Sequence, residues 1–135
     1  MKKVLIICRG NSCRSIMAEA LINSYLKGVR AFSCGTNIKR EIAPITQVIL
    51  EERGIYDNSI YYPKSCKEFK DMEFDLVVTV CDSAKEECPV FLNAKKNIHI
   101  DFKDPEGKGY KEFEKTLFKI RNRLLPEIEK ILEEE

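Results

Sequence analysis

Short apolar runs alternate with amphipathic segments along this chain, and the alternation restricts the fold more than any other feature of the sequence. Residues 4–7 form an apolar run rich in β-branched side chains, which is typical of a buried strand. From Ser15 onward, apolar residues recur every three or four positions, as on one face of a helix. Strands that alternate with helices predict an open parallel sheet with right-handed crossovers.

The rest of the chain follows the same alternation. Further strands are predicted at residues 30–33, 74–80 and 97–101, and further helices at 45–52, at 66–69, from Ser83 and over 113–131. Ser83 and Glu86 have the spacing of a capping box, and Pro126 should kink the last helix because proline lacks a backbone amide. We predict a single-domain, three-layer α/β sandwich with a four-stranded parallel sheet in the flavodoxin-like order 2-1-3-4, flanked by helices.

Length and charge exclude several classes of protein. The 135 residues match the size of one domain, which we predict to span residues 1–135. Lys and Arg number 23 and Asp and Glu number 22, so the chain lacks the basic excess of a general nucleic-acid binder. The apolar run after Lys3 has five residues, too few for a signal peptide or a membrane span. We expect a cytoplasmic monomer that binds neither nucleic acid nor membranes.

The chain has six cysteines, and two of them follow predicted strands directly. Cys8 comes after the first strand and Cys81 after the third, and these strands are neighbours in the predicted order. Ligands of such sheets bind at the carboxyl ends of the strands, so both sulfurs are expected in one crevice. In the reducing cytoplasm a cysteine pair is more often catalytic, redox-active or metal-binding than a structural disulfide. Cys34 and Cys66 have no partner spacing and are expected to be core or incidental thiols.

Residues 8–14, CRGNSCR, form a Cys-x5-Arg pattern between the first strand and the first helix. A nucleophilic cysteine needs its thiolate stabilised, which the amides of a wrapped loop and the hydroxyl of Ser15 can do. The same amides form a nest for a tetrahedral oxyanion, and the planar guanidinium of Arg14 can hold two of its oxygens. Gly10 permits a close backbone approach, and Asn11 tolerates a left-handed conformation. The pattern predicts a thiolate aimed at the central atom of a bound oxyanion.

The segment CRGNSCRSIMAEA resembles the active-site loop of the low-molecular-weight protein tyrosine phosphatase superfamily, and the resemblance covers nearly the whole chain. It implies that Cys8 is the nucleophile and that Arg14 clamps the oxyanion. The substrate-binding residues that it implies are Arg9, Gly10, Asn11, Ser12, Cys13, Arg14 and Ser15. Cys13 is expected to be a protective or packing thiol. Asp104, which precedes Pro105, matches the superfamily's general acid, although by its spacing alone it is a turn residue before a helix.

The segment TVCDSAKEECPVF resembles the redox segment of thioredoxin-coupled arsenate reductases, a branch of this superfamily. The resemblance implies that arsenate is reduced to arsenite through a relay of Cys8, Cys81 and Cys88, with thioredoxin or another thiol reductant as the electron donor. A continuous helix would separate the Cα atoms of residues 81 and 88 by about 10.5 Å, whereas a disulfide tolerates about 7 Å. We therefore expect this short helix to unwind when the last two cysteines pair.

Two other functions remain open from the sequence. A phosphatase would use Cys8, Arg14 and Asp104 and finish the reaction with water. In the phosphatases, aromatic residues usually follow the Asp-Pro pair, whereas this chain has Glu106 and Gly107 there, which argues against a phosphotyrosine substrate. A thiol sensor that binds arsenite or a metal is the third possibility.

We expect no tightly bound cofactor. Zinc is not indicated, because the chain has no Cys-x2-Cys pair and His99 is its only histidine. Some members of the superfamily hold a potassium ion near the loop, and by resemblance Asn11, Glu19 and Ser33 are candidates to supply its oxygen ligands. The carboxylate expected as a fourth ligand is replaced in this chain near residues 63–65.

Overall fold

The structure, a computed structural model that describes residues 1–87 and 93–134, contains one parallel sheet of four strands. The strands are β1 (Lys2–Cys8), β2 (Val29–Gly35), β3 (Leu76–Thr79) and β4 (Asn97–His99). Their order is β2-β1-β3-β4, which confirms the predicted order. Because all three strand pairs are parallel, the carboxyl ends of the strands lie along one edge of the sheet.

Helices surround this sheet. They are α1 (Arg14–Tyr25), α2 (Pro44–Glu52), α3 (Asp82–Glu87), α4 (Tyr110–Lys119) and α5 (Leu125–Glu133), with a 3-10 helix at Cys66–Phe69. A π-helical turn, Ile120–Leu124, joins α4 to α5, and Pro126 lies in the first turn of α5. The predicted interruption of the last helix is therefore a π-helical turn that ends two positions before Pro126.

The central strand β1 shows how the layers are arranged. All residues from Val4 to Cys8 are buried, which requires cover on both faces of the sheet. Helix α1 packs on β1 and β2, and the short helix α3 packs on β1 and β3. No helix in the described part of the chain is long and apolar enough to cross a bilayer.

Cys34 and Cys66 form a disulfide, so the prediction that they are incidental thiols is wrong. Gly35 and Ser65 form an isolated parallel bridge next to them, which extends the edge of the sheet beyond β2. This bridge brings the Cα atoms of the two cysteines to 4.8 Å, within the range that a disulfide needs. The sequence does not show the pairing because the two residues are 32 positions apart.

Helix α3 begins two residues earlier than the capping-box pattern predicts. Asp82 is its first residue, and the sulfur of Cys81 accepts the amide of Ala84 at 3.4 Å. The prediction that Ser83 caps this helix is therefore wrong. The residue before the helix is Cys81, and its sulfur accepts the amide that the hydroxyl of a capping serine would accept. A complete capping box occurs instead at the 3-10 helix, between Ser65 and Glu68.

Candidate active site

A cleft of about 420 Å³ lies at the carboxyl edge of the sheet, where the loop of residues 9–13 joins β1 to α1. Cys8, Arg14 and Asp104 all line it. Further predicted substrate-binding residues line the same cleft: Arg9, Gly10, Asn11, Ser12 and Cys13. Ser15 is fully buried and hydrogen-bonds to the side chain of Asn11.

Backbone hydrogen bonds fix the direction in which the amides of this loop point. Amides within residues 36–43 donate, at 2.9–3.2 Å, to four carbonyls: those of Cys8, Arg9, Gly10 and Ser12. In a trans peptide the carbonyl and the next amide point in opposite directions. The amides that follow these four carbonyls therefore point away from residues 36–43 and towards the inside of the loop. A row of amides in this orientation forms a nest that favours an anion.

Asn11 holds the loop from within. Its φ of 50° is the left-handed conformation that the sequence allows for it, and the residue is fully buried. Its side-chain amide donates to the hydroxyls of Ser15 at 2.8 Å and Ser33 at 2.9 Å. Its side-chain carbonyl accepts the backbone amide of Lys64 at 2.7 Å. The side chain of Asn11 thus connects the loop to α1, to β2 and to the segment before the 3-10 helix.

Gly35, at the end of β2, lets the loop lie against the sheet. A Cβ at this position would lie 2.6 Å from the backbone oxygen of Arg9 and 3.0 Å from the Cβ of Asn11. At Gly10, where the sequence predicts the close approach, the nearest atom to an added Cβ would be in the flexible side chain of Lys39, at 3.0 Å. The stricter requirement for glycine is therefore at Gly35, for which the sequence contains no signal.

The sulfurs of Cys8 and Cys81 are hydrogen-bonded to each other and buried at the ends of neighbouring strands. The hydrogen bond from Cys8 lowers the pKa of Cys81 to about 6, and the amide of Ala84 and the charge of Arg14 act in the same direction against the effect of burial. The same hydrogen bond, together with burial, raises the pKa of Cys8 above its ordinary value. The two thiols therefore titrate as one coupled pair, and their hydrogen bond favours a single thiolate within it.

Arg14 is fixed in place by the segment that follows β4. Its Nη1 donates to the carbonyl of Phe102 at 2.8 Å, and its Nη2 lies 3.5 Å from Oδ2 of Asp104. Its Nε is buried and has no hydrogen-bond partner among the residues that the structure describes. A held guanidinium with a free, buried N–H is suited to bind an oxyanion oxygen.

Asp104 uses its two oxygens differently. Oδ1 accepts the amide of Glu106 at 2.9 Å, which forms the turn that the spacing predicts. Oδ2 faces Arg14, and the side chain remains 45% exposed. The turn and the acid are therefore compatible roles for one residue.

Cys13 differs from the two paired cysteines. It lies at the start of α1 and is 7% exposed, and burial raises its pKa to about 12. Its sulfur therefore stays protonated at neutral pH. This state agrees with the expectation of a packing or protective thiol.

The segment after Cys81 is tied to the anion loop at one end and to β4 at the other. Nε of Arg9 lies 3.5 Å from the carboxylate of Glu87, the last residue of α3. Nε2 of His99 lies 2.9 Å from Asp82, the first residue of α3. Cys88 follows this helix in the sequence and lies outside the described residues.

The candidate potassium ligands Asn11, Glu19 and Ser33 lie together, but hydrogen bonds within the protein already occupy their atoms. The side-chain oxygen of Asn11 accepts the amide of Lys64. The hydroxyl of Ser33 donates to Glu19 at 2.5 Å and accepts from Asn11. Burial raises the pKa of Glu19 to about 7, so this carboxyl group is not a strong anion at neutral pH. These three residues therefore do not fit a bound potassium ion.

One further cluster has metal-ligating side chains. Ligand atoms of Asp82, His99 and Asp101 lie within 4.8 Å of one another. Both ring nitrogens of His99 are engaged, with Thr79 at 2.7 Å and with Asp82 at 2.9 Å. These hydrogen bonds connect α3 to β3 and β4 and account for the positions of Asp82 and His99.

A parallel sheet with a thiol in an anion-binding loop after its first strand defines a class of proteins that act on tetrahedral oxyanions. This chain belongs to the low molecular weight phosphotyrosine protein phosphatase family, whose model matches residues 3–135.

Arsenate reductases are among the most similar proteins. Arsenate reductase 2 of Staphylococcus epidermidis is 32% identical over 123 residues, which cover 91% of this chain and 93% of that protein. The solved structure of an arsenate reductase in its phosphate-binding state is 28% identical, has a TM-score of 0.83 and covers 97% of this chain and 99% of its own. A thioredoxin-dependent arsenate reductase from Corynebacterium glutamicum is 26% identical with a TM-score of 0.77, and the match covers all of this chain and 64% of that one.

Proposed function

We propose that this protein reduces arsenate to arsenite through a relay of Cys8, Cys81 and Cys88, with thioredoxin as the electron donor. The observation that carries the proposal is the hydrogen-bonded pair of buried sulfurs beside a nest of amides. In a phosphatase, water hydrolyses the phosphoenzyme, so the reaction does not require a second sulfur next to the nucleophile. The similarity to arsenate reductases supports the same choice.

Arsenate has the tetrahedral geometry that the loop favours. The amides on the inside of the loop and the guanidinium of Arg14 bind its oxygens and place arsenic in front of the Cys8 sulfur. Cys8 then attacks arsenic, so that an arsenic–sulfur bond forms and an arsenic–oxygen bond breaks. Asp104 donates the proton with which the departing oxygen leaves as water. Arsenic is still pentavalent after this step.

Reduction takes place in the second step. The thiolate of Cys81 attacks the sulfur of Cys8, and the electron pair of the sulfur–arsenic bond moves to arsenic. Arsenic becomes trivalent and leaves as arsenite, while Cys8 and Cys81 form a disulfide. The hydrogen bond between the two sulfurs places them at the short separation that this attack requires.

The third step moves the disulfide outward. Cys88 attacks the sulfur of Cys81, and Cys8 leaves as a thiolate. The dithiol of thioredoxin then reduces the bond between Cys81 and Cys88 and becomes a disulfide itself. Helix α3 has only six residues, and helices this short are marginal in isolation, so unwinding it requires little free energy.

We propose that the protein works as a monomer of one domain over residues 1–135 in the cytoplasm, where thioredoxin is available. The same loop and acid support weak hydrolysis of aryl phosphates as a second activity. Phe113 of α4 lines the cleft and offers an apolar wall to such a substrate.

The test is the Cys88→Ser variant, assayed in parallel for thioredoxin-linked reduction of arsenate and for hydrolysis of nitrophenyl phosphate. We expect the variant to lose multiple-turnover arsenate reduction and to keep hydrolysis, because Cys8, Arg14 and Asp104 are unchanged. Glu86→Gln, which changes an exposed residue of the same segment, is the matched control and should keep both activities. Arsenate turnover at the wild-type rate in Cys88→Ser would contradict the relay.

A further inference from the structure

We propose that the ammonium group of Lys64 is a built-in cation that takes the place of a bound monovalent ion beside the anion loop. Lys64 is then a positioning residue for the loop. The inference concerns anion binding alone and holds whether the bound oxyanion is arsenate or phosphate, so its failure would leave the relay of sulfurs untouched.

The first observation is that Lys64 is part of the network that shapes the loop. Its backbone amide donates to the side-chain oxygen of Asn11 at 2.7 Å. Its backbone carbonyl accepts the amide of Gly35 at 2.8 Å. The disulfide at Cys66 fastens the same segment to β2 two residues later. The main chain at Lys64 is therefore held against the loop on both sides.

The second observation is the buried acid behind the loop. Glu19 is 2% exposed, and its carboxyl group accepts the hydroxyl of Ser33, which in turn accepts from Asn11. A buried carboxyl group needs positive charge nearby if it is to carry any negative charge. The cationic side chains whose charge acts on Glu19 are those of Lys64 and Arg30. Lys64 is the one of these two whose main chain also bonds to the loop.

The third observation is the environment of the ammonium group itself. Nζ of Lys64 donates to the backbone carbonyls of Ile60 and Tyr62, the latter at 3.3 Å. It lies 3.9 Å from the centre of the Tyr62 ring, in a cation–π arrangement. Backbone carbonyls and aromatic faces are ligands that monovalent cations use. The segment thus supplies both the cation and the groups that hold it.

A covalently attached cation has a different dependence on salt from a bound ion. A bound ion stabilises its site by mass action, so the effect grows with its concentration. An attached ammonium group is always present, so the affinity of the loop for an anion does not respond to the identity of the monovalent salt. This difference makes the inference testable on the intact protein.

The experiment measures the dissociation constant of inorganic phosphate by calorimetry, in potassium chloride and in tetramethylammonium chloride at equal ionic strength. The proteins are the wild type, Lys64→Met, Lys64→Arg and the matched control Lys67→Met, which changes a lysine on the same segment. The thermal unfolding midpoint of each protein is recorded in both salts.

We expect wild type and Lys67→Met to bind phosphate equally well in both salts. In tetramethylammonium, Lys64→Met should bind about threefold to tenfold more weakly, because the charge that supports the network is gone. Potassium should restore part of this loss by binding where the ammonium group was, and Lys64→Arg should keep most of the wild-type affinity.

Two results would overturn the inference. One is tighter phosphate binding or a higher unfolding midpoint of the wild type in potassium than in tetramethylammonium, which would reveal a bound ion. The other is a Lys64→Met variant that behaves like Lys67→Met in both salts. Should Lys64→Met fail to fold, Lys64→Gln is measured in its place, because it removes the same charge and keeps a polar side chain.

Discussion

The reactivity of this site depends, at the scale of single residues, on the charge shared by Cys8 and Cys81. A thiolate on Cys81 is stabilised by the thiol of Cys8, by the amide of Ala84 and by Arg14. Cys8 must lose its proton before it attacks arsenic, and the neighbouring thiolate or the arsenate itself can accept it. In the next step Cys81 is the attacking sulfur, and for this a low pKa is an advantage.

We expect the pair to lose its first proton with an apparent pKa of about 6. A lowered thiol pKa means that the thiolate is present above this pH and lost below it. The formation of the bond between Cys8 and Cys81 should therefore slow as the pH falls through about 6. Ultraviolet absorbance of the thiolate, recorded against pH in a Cys88→Ser background, measures the titration.

Two variants in the same background separate the contributions of the individual thiols. Cys13→Ser should leave the titration unchanged, because burial raises the pKa of Cys13 to about 12. Cys81→Ser should remove the transition. A first thiolate that formed only above about pH 8, close to the ordinary thiol pKa, would contradict the prediction that the pair of Cys8 and Cys81 has a lowered first pKa.

At the scale of the elements, α3 is the part of the structure that the proposed relay must change. It has six residues, and its ends are tied by Asp82 to His99 and by Glu87 to Arg9. Both ties involve exposed carboxylates, which contribute little stability. The helix is therefore held in place weakly, next to the firmly packed strand β3.

We expect oxidation of Cys81 and Cys88 to a disulfide to remove the amide protection of α3 and to leave that of β3 unchanged. The reason is that a helical segment holds the two Cα atoms about 10.5 Å apart, too far for the bond. Hydrogen exchange followed by mass spectrometry on the reduced and oxidised protein measures this. Cys88→Ser treated with the same oxidant is the control and should keep its protection.

An unchanged exchange rate in α3 after the disulfide has formed would contradict the prediction. It would mean that the bond forms without unwinding, through a displacement of Cys88 alone.

At the scale of the whole molecule, the site is assembled from segments that are far apart in the sequence. The loop of residues 9–13 rests on Gly35, accepts a hydrogen bond from Lys64 and places Arg14 against Phe102. The disulfide between residues 34 and 66 joins two of these segments. Its main effect is on the unfolded chain, whose entropy it reduces by closing a loop.

We expect the double variant Cys34→Ala/Cys66→Ala to lose about 2–4 kcal/mol of the free energy of unfolding in non-reducing buffer. Denaturant unfolding followed by circular dichroism measures the difference. The double substitution avoids leaving a single unpaired thiol in the core.

Reductant provides the control for this prediction. With a phosphine present, the unfolded wild type loses its cross-link, and the difference between the two proteins should shrink to the small effect of the side-chain change. Free thiols at residues 34 and 66 in denatured, unreduced wild type would show that the bond does not form.

Much of the fold could be predicted because its signals are local. Apolar runs and helical spacing predicted the strands and helices, and the flavodoxin-like order expected for such a sheet is the order that the structure has. The boundaries were less accurate: β3 spans Leu76–Thr79 rather than residues 74–80, since only these four residues pair with β1. The start of α3 was also predicted wrongly: Cys81 caps the helix instead of Ser83, and a cysteine is not an expected cap.

The sequence alone determined the nature of the anion loop, since its seven residues are contiguous and their chemistry is local. It also determined that Cys8 and Cys81 meet, because parallel strands bring their carboxyl ends to one edge. Only the tertiary structure decided what supports the loop: Gly35, Lys64, Phe102 and the disulfide of Cys34 with Cys66. These residues touch the site through contacts between segments far apart in the chain, and such contacts leave no periodicity or spacing in the sequence.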